Sequence, residues 1–263
     1  MKKTRETVKE ISRMLQEVTS LDDPLVKRSL EDDRKAVQQL VKGWIRNYER
    51  NKQLEMQFNR MSSFEREARK NGHILIAGID EAGRGPIAGP VVAAAVILKE
   101  DFFLLGLTDS KQLTKTKRDL YFETIVEEAL AFSVGIVKEK EIDEINIYQA
   151  AKKAMIQAVQ GLSETPDMLL IDAMELSINI KEQSLIKGDS RSISIAAGSV
   201  IAKVTRDRLM EEIAREFPMY GFEKHMGYGT KEHIEAIKKY GITPYHRKSF
   251  SPVKEHLLME DGE

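Results

Sequence analysis

From residue 73 onward the chain alternates short apolar runs with amphipathic segments, and this order constrains the fold more than any other feature. The runs HILIAGID and VVAAAVIL are typical of buried strands, whereas TKTKRDLYFETIVEEALAF and ISIAAGSVIAKVTRDRLMEEIAREF show helical spacing. Further strands are predicted at SVGIVKE, DMLLIDA and SLIKGD, and a further helix at EINIYQAAKKAMIQAVQGL. Strands and helices in this order predict an α/β core built on a mixed sheet.

The first 72 residues show helical periodicity almost throughout. A helix is predicted over TRETVKEISRMLQEV, the pattern breaks at SLDDP, and a longer helix is predicted over about residues 32–61. Asn71-Gly72 is a stop signal. We therefore predict a helical N-terminal extension over residues 1–72, an α/β domain over 73–217, and a small helical C-terminal region over 218–263 that includes KEHIEAIKKYG.

Composition excludes several classes of protein. The chain contains no cysteine, which rules out disulfides and thiolate metal sites. No apolar run reaches the roughly 18 to 20 residues of a membrane span, and the charged N-terminus lacks a signal peptide. We therefore expect a cytoplasmic protein without membrane contact. The net charge of −1 argues against a general nucleic-acid coat. Residues 1–72 carry an excess of basic side chains, which suits contact with a polyanion but is more simply explained as an ordinary solvated helix surface.

Three predicted strands run directly into acidic residues. Asp80 follows LIAGI, Asp172 follows LLI, Asp189 follows LIKG, and Glu81 is the neighbour of Asp80. Carboxylates that share one partly buried site repel one another, and a divalent cation removes that conflict. Oxygen ligands without Cys favour Mg²⁺ or Mn²⁺, and two such ions about 3.5–4 Å apart can clamp a phosphodiester in an in-line displacement. Alternatively, each Asp is a turn former or a helix cap, since periodicity does not show that the strands are neighbours.

The segment EAGRGPIAGP places glycines directly after two of these acids. It is not a dinucleotide fingerprint, because its glycine spacing differs and Pro86 interrupts it, and the chain has no Walker A pattern. Gly83 and Gly85 allow the main chain to lie against a ligand, and Arg84 suits a phosphate. The alternative is a plain tight turn between two strands.

Together these segments resemble the type 2 ribonuclease H family, and specifically bacterial ribonuclease HII. The blocks that carry the resemblance occur in the family's order: GIDEAGRGPIAGPVVAAAVIL, TDSKQL, LLIDAM, IKGDSRSISIAAGSVIAKVTRDR, YGFEKHMGYGT and HRKSFSPV. They cover about residues 74–253. The resemblance implies an RNase H-like fold, a mixed five-stranded sheet flanked by helices, and a metal-dependent endonuclease. Such an enzyme cuts the ribonucleotide-containing strand of a duplex, leaves 3′-hydroxyl and 5′-phosphate ends, and nicks 5′ of a lone ribonucleotide in DNA.

The resemblance also implies roles for individual residues. The metal-binding and catalytic acids would be Asp80, Glu81, Asp172 and Asp189, with Mg²⁺ or Mn²⁺ as the cofactor. The substrate-binding set would be Gly83, Arg84, Gly85, Lys111, Arg206 and Tyr228. In this set the glycine loop senses the 2′-hydroxyl through its backbone, Tyr228 stacks near the ribose, and the basic side chains of Lys111 and Arg206 hold phosphates. The expected partners are RNA/DNA hybrids and ribonucleotide-containing DNA, and we expect a monomer.

Other interpretations remain open at this point. A related nuclease such as ribonuclease HIII usually departs from Gly-Arg-Gly and has a sheet-bearing N-terminal domain, and a structure-specific DNA nuclease is a second relative. A non-catalytic binding module would lack at least one of the acids. Tyr228 would by default be a half-buried packing aromatic, and the three histidines at 225, 233 and 246 would be surface polar or phosphate-adjacent residues. Met226 stands where many relatives carry a basic residue.

Overall fold

The computed structural model describes residues 5–260 and divides into two compact units, with the division between Gln57 and Phe58. The first unit holds helices α1 (Val8–Leu15) and α2 (Pro24–Leu30) and most of α3 (Lys35–Met61). Thr7 and Glu10 form a capping box at the start of α1, and Asp23 caps α2 by accepting a hydrogen bond from the Leu25 N–H (2.7 Å). A small apolar core joins these helices: Ile11, Leu15, Leu25, Val26, Val37 and Val41. The expected helical N-terminal region is therefore present, whereas the domain boundary after residue 72 stays a prediction.

The second unit contains a mixed sheet of five strands, as expected. The strands are β1 (Ile76–Ala82), β2 (Val91–Ile97), β3 (Ala131–Val137), β4 (Met168–Asp172) and β5 (Lys181–Leu185). Their spatial order is β3-β2-β1-β4-β5, with β1 and β3 antiparallel to β2, and β4 parallel to both β1 and β5. The last strand lies earlier than the predicted SLIKGD. It is an edge strand whose side chains are mostly exposed, so it carries no apolar run.

Helices cover both faces of this sheet. They are α4 (Ser63–Lys70), α5 (Lys115–Glu128), α6 (Glu139–Gln160) and α7 (Ile193–Glu216), followed by α8 (Phe222–His225), α9 (Lys231–Tyr240) and α10 (Val253–Glu260). Helix α6 is interrupted at Asn146, where φ is 68°, and the Asn146 side chain accepts hydrogen bonds from the N–H groups of Tyr148 and Gln149. The helix therefore begins at Glu139, before the predicted start at residue 144, with a short first segment that the break at Asn146 separates from the rest.

Two glycines let the largest helices approach the sheet closely. A Cβ at Gly135 in β3 would overlap the Ala154 carbonyl of α6, and a Cβ at Gly78 in β1 would overlap the backbone of Ser194 at the start of α7. Helices α6 and α7 lie in separate apolar clusters, each shared with the central strands. Because α7 is pressed onto β1, its first turn is fixed relative to the residues at the end of that strand. None of the helices in the described part of the chain combines the length and apolarity needed to cross a membrane.

Candidate active site

Three acidic side chains converge at one end of the sheet. Asp80 lies near the end of β1 and Asp172 ends β4, and because these strands are neighbours and parallel, both acids reach the same edge. Asp189 comes from a 3₁₀ turn, Gly188–Ser190, that leads into α7. One carboxylate oxygen from each of the three lies within 4.8 Å of the other two. The sequence pattern predicts Asp189 at the end of a strand. The structure instead places it in the turn that follows β5.

Hydrogen bonds fix the orientation of these carboxylates. The Gly188 N–H donates to Asp172 Oδ1 (2.6 Å), which ties the β4 acid to the turn that carries Asp189. Asp80 Oδ1 accepts from the Glu81 N–H (2.7 Å), and the Asp80 carboxylate is also hydrogen-bonded to Ser199 of α7. The site is thus assembled by two strands, one turn and the first half of one helix.

The electrostatics of this cluster favour a bound cation. Burial, with the neighbouring Glu81 and Asp172 charges, raises the pKa of Asp80 well above its usual range. Burial also raises the pKa of Asp172, and burial together with nearby carboxylates raises the pKa of Asp189 to about 6. A hard divalent ion is the counter-charge that three such oxygen donors fit, since it stabilises all of them in the ionised form.

Glu81 lies beside this cluster with one oxygen in use. Its Oε1 accepts from Arg84 Nη1 (3.1 Å), whereas its Oε2 is buried without a hydrogen-bond partner. Burial raises the pKa of Glu81, and the Arg84 charge opposes that rise. A buried carboxylate oxygen without a donor is costly, so this atom is a ready ligand for a cation at the edge of the cluster.

The sequence reasoning missed a further acid, Asp109. Its charge contributes to the raised pKa of both Asp172 and Asp189. Its Oδ1 accepts from the Lys111 N–H (2.9 Å), and Lys111 Nζ lies 3.9 Å from Asp109 Oδ1 and 3.7 Å from Asp189 Oδ2. Asp109 belongs to the block TDSKQL, which carries part of the family resemblance, but it does not follow a predicted strand, so the strand-end pattern does not single it out.

The glycine loop lies between this cluster and an aromatic side chain. Gly83 has φ of 96°, and a Cβ there would overlap the Arg206 side chain and lie 2.7 Å from the Pro90 carbonyl oxygen. A Cβ at Gly85 would meet only the Tyr228 ring, at 3.5 Å. Tyr228 is 49% exposed, so about half of its surface is open to a ligand, and this exposure also fits the default interpretation of a half-buried packing aromatic. The loop backbone and the tyrosine face therefore border the same surface.

Arg206 does not occupy the position expected for a phosphate contact. The side chain is 1% exposed, and its guanidinium donates to three carbonyl oxygens: Pro90 (3.0 Å), Ala88 (3.1 Å) and Met226 (2.9 Å). These bonds tie α7 to the segment after the glycine loop and to the segment before Tyr228. Arg206 therefore has a structural role inside the protein. Its bond to Met226 is to the backbone carbonyl, so the Met226 side chain does not take part in it.

A second buried arginine, Arg247, was missed by the sequence reasoning. It is fully buried and donates to the carbonyls of Gly83 (2.6 Å), Arg84 (3.1 Å) and Gly89 (2.7 Å). It lies in HRKSFSPV, a polar, turn-rich block in which a buried charge has no sequence signal. The guanidinium groups of Arg206 and Arg247 thus donate to carbonyls between Gly83 and Pro90. These bonds fix the backbone of a segment that is rich in glycine.

A buried histidine pair holds the backbone of Tyr228. His233 and His246 are at most 2% exposed, which corrects their expected surface position. The Thr243 N–H donates to His246 Nδ1 (2.9 Å), so His246 carries its proton on Nε2 and donates to His233 Nε2 (3.0 Å). His233 Nδ1 then donates to the Tyr228 carbonyl (2.9 Å). Burial lowers the pKa of His233 to about 4 and that of His246 to about 3, so both rings are neutral.

The mixed sheet, the helices on both faces and the carboxylates at the end of the central strands define the class of RNase H-like enzymes. Solved structures agree. Ribonuclease H2 from Pyrococcus horikoshii matches with a TM-score of 0.63 and 26% identity, over 72% of this chain and 100% of that one. Bst-RNase HIII in complex with Mn²⁺ matches with a TM-score of 0.55 and 20% identity, over 72% and 71%, which supports the fold alone.

Comparisons of the sequence identify the family. The ribonuclease HII family model matches residues 77–253, and the ribonuclease HII N-terminal domain model matches residues 7–69. Ribonuclease HII of Bacillus licheniformis is 58% identical over 95% of this chain and 98% of that protein, and that of Bacillus subtilis is 56% identical over 94% and 97%. The chain belongs to the ribonuclease HII family, and it is therefore an RNase H endonuclease that acts on RNA/DNA hybrids.

Proposed function

We propose that this endonuclease also nicks duplex DNA on the 5′ side of a single embedded ribonucleotide, leaving 3′-hydroxyl and 5′-phosphate ends. It would act as a monomer in the cytoplasm. The observation that carries the proposal is the convergence of Asp80, Asp172 and Asp189 within 4.8 Å beside a rigid glycine loop. The acids provide the hydrolytic centre, and the loop provides a surface that a ribose can contact.

The proposed metal ligands are Asp80, Glu81, Asp172 and Asp189. Their support is the raised pKa of each carboxyl group and the unpartnered Oε2 of Glu81. A bound pair of Mg²⁺ or Mn²⁺ ions would supply activation of the attacking water and stabilisation of the departing oxygen. The residues of the chain orient this centre, since the Gly188 N–H and Ser199 fix the Asp172 and Asp80 carboxylates.

The proposed ribose reader is the segment Gly83, Arg84 and Gly85 together with Tyr228. Telling RNA from DNA requires groups that hydrogen-bond the 2′-hydroxyl, which is both donor and acceptor. Arg247 fixes the loop carbonyls, His233 fixes the Tyr228 backbone, and Gly85 leaves the ring edge uncovered. A main chain held in this way discriminates a ribose more sharply than a flexible side chain.

The proposed phosphate contacts are the side chains of Lys111 and Arg84. Lys111 is 74% exposed and Arg84 is 44% exposed, and each lies within ion-pair distance of a carboxylate of the site. Both can therefore reach a phosphate that approaches the acids. Arg206 does not serve as such a contact, because its guanidinium is buried and donates to three backbone carbonyls.

The test is a cleavage assay on three duplexes: a full RNA/DNA hybrid, DNA with one ribonucleotide, and all-DNA, each with Mg²⁺ and with Mn²⁺. We expect cleavage of the first two and none of the third. Asp80→Asn should abolish cleavage while folding and duplex binding persist, and Asp101→Asn, at an exposed position of the same unit, is the matched control. Activity retained by Asp80→Asn would defeat the metal assignment, and an intact single-ribonucleotide duplex would defeat the nicking proposal.

A further inference from the structure

Glu65 on α4 is a buried acid that the proposed reaction does not use. Its side chain is 4% exposed, and its Oε1 accepts from Ser192 Oγ (2.6 Å), from the Ser194 N–H (3.0 Å) and from Ser194 Oγ. Ser192 is the N-cap of α7 and Ser194 lies in its first turn. A carboxylate at this position satisfies orphan donors and complements the helix dipole. Glu65 is thus an extra cap, supplied from another helix.

The capped residues lead directly to the metal-binding acids. The Ser192 N–H donates to the Gly188 carbonyl (2.8 Å), and the Gly188 N–H donates to Asp172 Oδ1 (2.6 Å). Asp189 lies in the same turn, between Gly188 and Ser192. One short series of hydrogen bonds therefore runs from Glu65 through the turn to Asp172, and it encloses Asp189.

A second contact from α4 reaches the same turn. The guanidinium of Arg191 lies 5.2 Å from the centre of the Phe64 ring, and Arg191 donates its N–H to the Gly188 carbonyl (2.9 Å). Helix α4 is itself fixed to the sheet, because Ala68 packs in a cluster with Ile76 of β1 and with residues of β4. The helix can therefore hold the turn in a defined place relative to the strands that carry the other acids.

We propose that Glu65 is a positioning residue for the metal centre: by capping α7 it sets the turn that places Asp189 against Asp80 and Asp172. The proposal rests on the proposed function, in which these acids bind divalent ions. It also gives a role to the end of the segment matched by the N-terminal family model, since α4 lies largely within residues 7–69.

The test compares three variants of the full chain: Glu65→Ala, Glu65→Gln and the control Glu67→Ala, an exposed acid on the same helix. Mn²⁺ binding is measured by calorimetry, and kcat and KM are measured on a hybrid duplex. We expect Glu65→Ala to weaken Mn²⁺ binding about 10-fold and to lower kcat with little change in KM, the lower end of the range for groups that hydrogen-bond a metal ligand directly, because Glu65 acts through the turn. Glu65→Gln keeps an acceptor for Ser192 and Ser194 but loses the charge and places an amide at the buried Oε2 position, so its Mn²⁺ binding should lie between those of wild type and Glu65→Ala. Glu67→Ala should stay within about threefold of wild type.

The outcomes separate this proposal from the one on which it rests. Wild-type protein that fails to bind Mn²⁺ would contradict the metal assignment itself. Wild-type binding together with unchanged Mn²⁺ affinity in a folded Glu65→Ala variant would overturn the role of Glu65 alone. If Glu65→Ala does not fold, Ser194→Ala decides: Mn²⁺ binding about three- to tenfold weaker supports the proposal, and unchanged binding overturns it.

Discussion

At the scale of single residues, the two glycines of the loop have different reasons to be glycine. Gly83 has a left-handed backbone and no room for a Cβ, whereas Gly85 has neither restriction. A methyl group at Gly85 would instead touch the Tyr228 ring, on the surface proposed to contact the ribose. The fold therefore requires the first glycine, whereas the second is free of that requirement and borders the surface proposed to contact the ribose.

We therefore predict that alanine at these two positions affects different properties, stability at Gly83 and activity at Gly85. Gly83→Ala should destabilise the protein by about 2–4 kcal/mol, through backbone strain and overlap with Arg206. Gly85→Ala should keep stability within about 0.5 kcal/mol and lower kcat/KM on a single-ribonucleotide duplex roughly 10- to 100-fold. Urea unfolding and cleavage kinetics measure the two effects. A Gly85→Ala variant that is destabilised but still selective for ribose would contradict this division.

Arg206 and Lys111 are both cationic, but Arg206 is buried among backbone carbonyls whereas Lys111 is largely exposed beside the acids. Lys111→Ala should reduce the salt dependence of duplex binding by about one phosphate contact, a change of roughly 0.9 in the slope of log K against log[salt]. Arg206→Lys keeps the charge but cannot reach three carbonyls, so it should lose stability with an unchanged slope. Fluorescence anisotropy at several salt concentrations, with thermal unfolding, distinguishes them. A reduced slope in Arg206→Lys would restore the phosphate role for this residue.

At the scale of elements, the Tyr228 segment depends on the start of α9 and the loop after it. The bonds from His246 to His233 to the Tyr228 carbonyl require both rings to be neutral. A buried base with a lowered pKa resists protonation that the unfolded chain accepts, so the unfolded state gains protons first as the pH falls. The stability of this element should therefore be highest above about pH 6.5 and fall on acidification.

This yields a prediction for His246→Asn, which keeps an acceptor for the Thr243 N–H but removes the titrating ring. Between pH 7 and pH 5 the wild-type protein should lose about 1–2 kcal/mol more than the variant, which corresponds to about one proton. Titrating groups that do not contact His246 are common to both proteins, so they cancel in the difference, whereas His233, which is bonded to His246, is counted with it. Urea unfolding at several pH values gives the comparison, and parallel pH profiles for the two proteins would rule out His246 as the cause.

At the scale of the whole molecule, the central strands and the large helices could be predicted from sequence, because their residues are buried and periodic. The edge strand β5 could not, since exposed side chains leave no apolar pattern. The position of Asp80 and Asp172 after apolar runs identified both as candidate ligands. The parallel pairing of β1 and β4, which brings the two acids together, could not be predicted from any local pattern. Buried charges such as Arg247 and Glu65 were missed for a related reason: their partners are distant in sequence, and most are backbone carbonyls or serine hydroxyls.

The convergence of the acids also links stability to metal. Without divalent ions, the raised pKa of Asp189 means that the folded state holds a proton that the unfolded state has lost. The contribution of Asp189 to stability should therefore fall as the pH rises from about 4 to about 6. Addition of Mn²⁺ at neutral pH should raise the stability of the protein by about 2.7 kcal/mol at 100 times Kd.

Asp80→Asn should change both the stability without metal and the stability gained on adding Mn²⁺. With EDTA at pH 7.5 the variant should be more stable than wild type, because a buried carboxylate that repels Glu81 and Asp172 is gone. With Mn²⁺ it should gain less than about a third of the wild-type increment, because the ligand is lost. Thermal unfolding in both conditions measures the crossover, and Asp101→Asn should behave as wild type in each. A variant less stable than wild type in EDTA would show that the hydrogen bonds of Asp80 outweigh its repulsion by Glu81 and Asp172. An increase with Mn²⁺ equal to that of wild type would contradict Asp80 as a metal ligand.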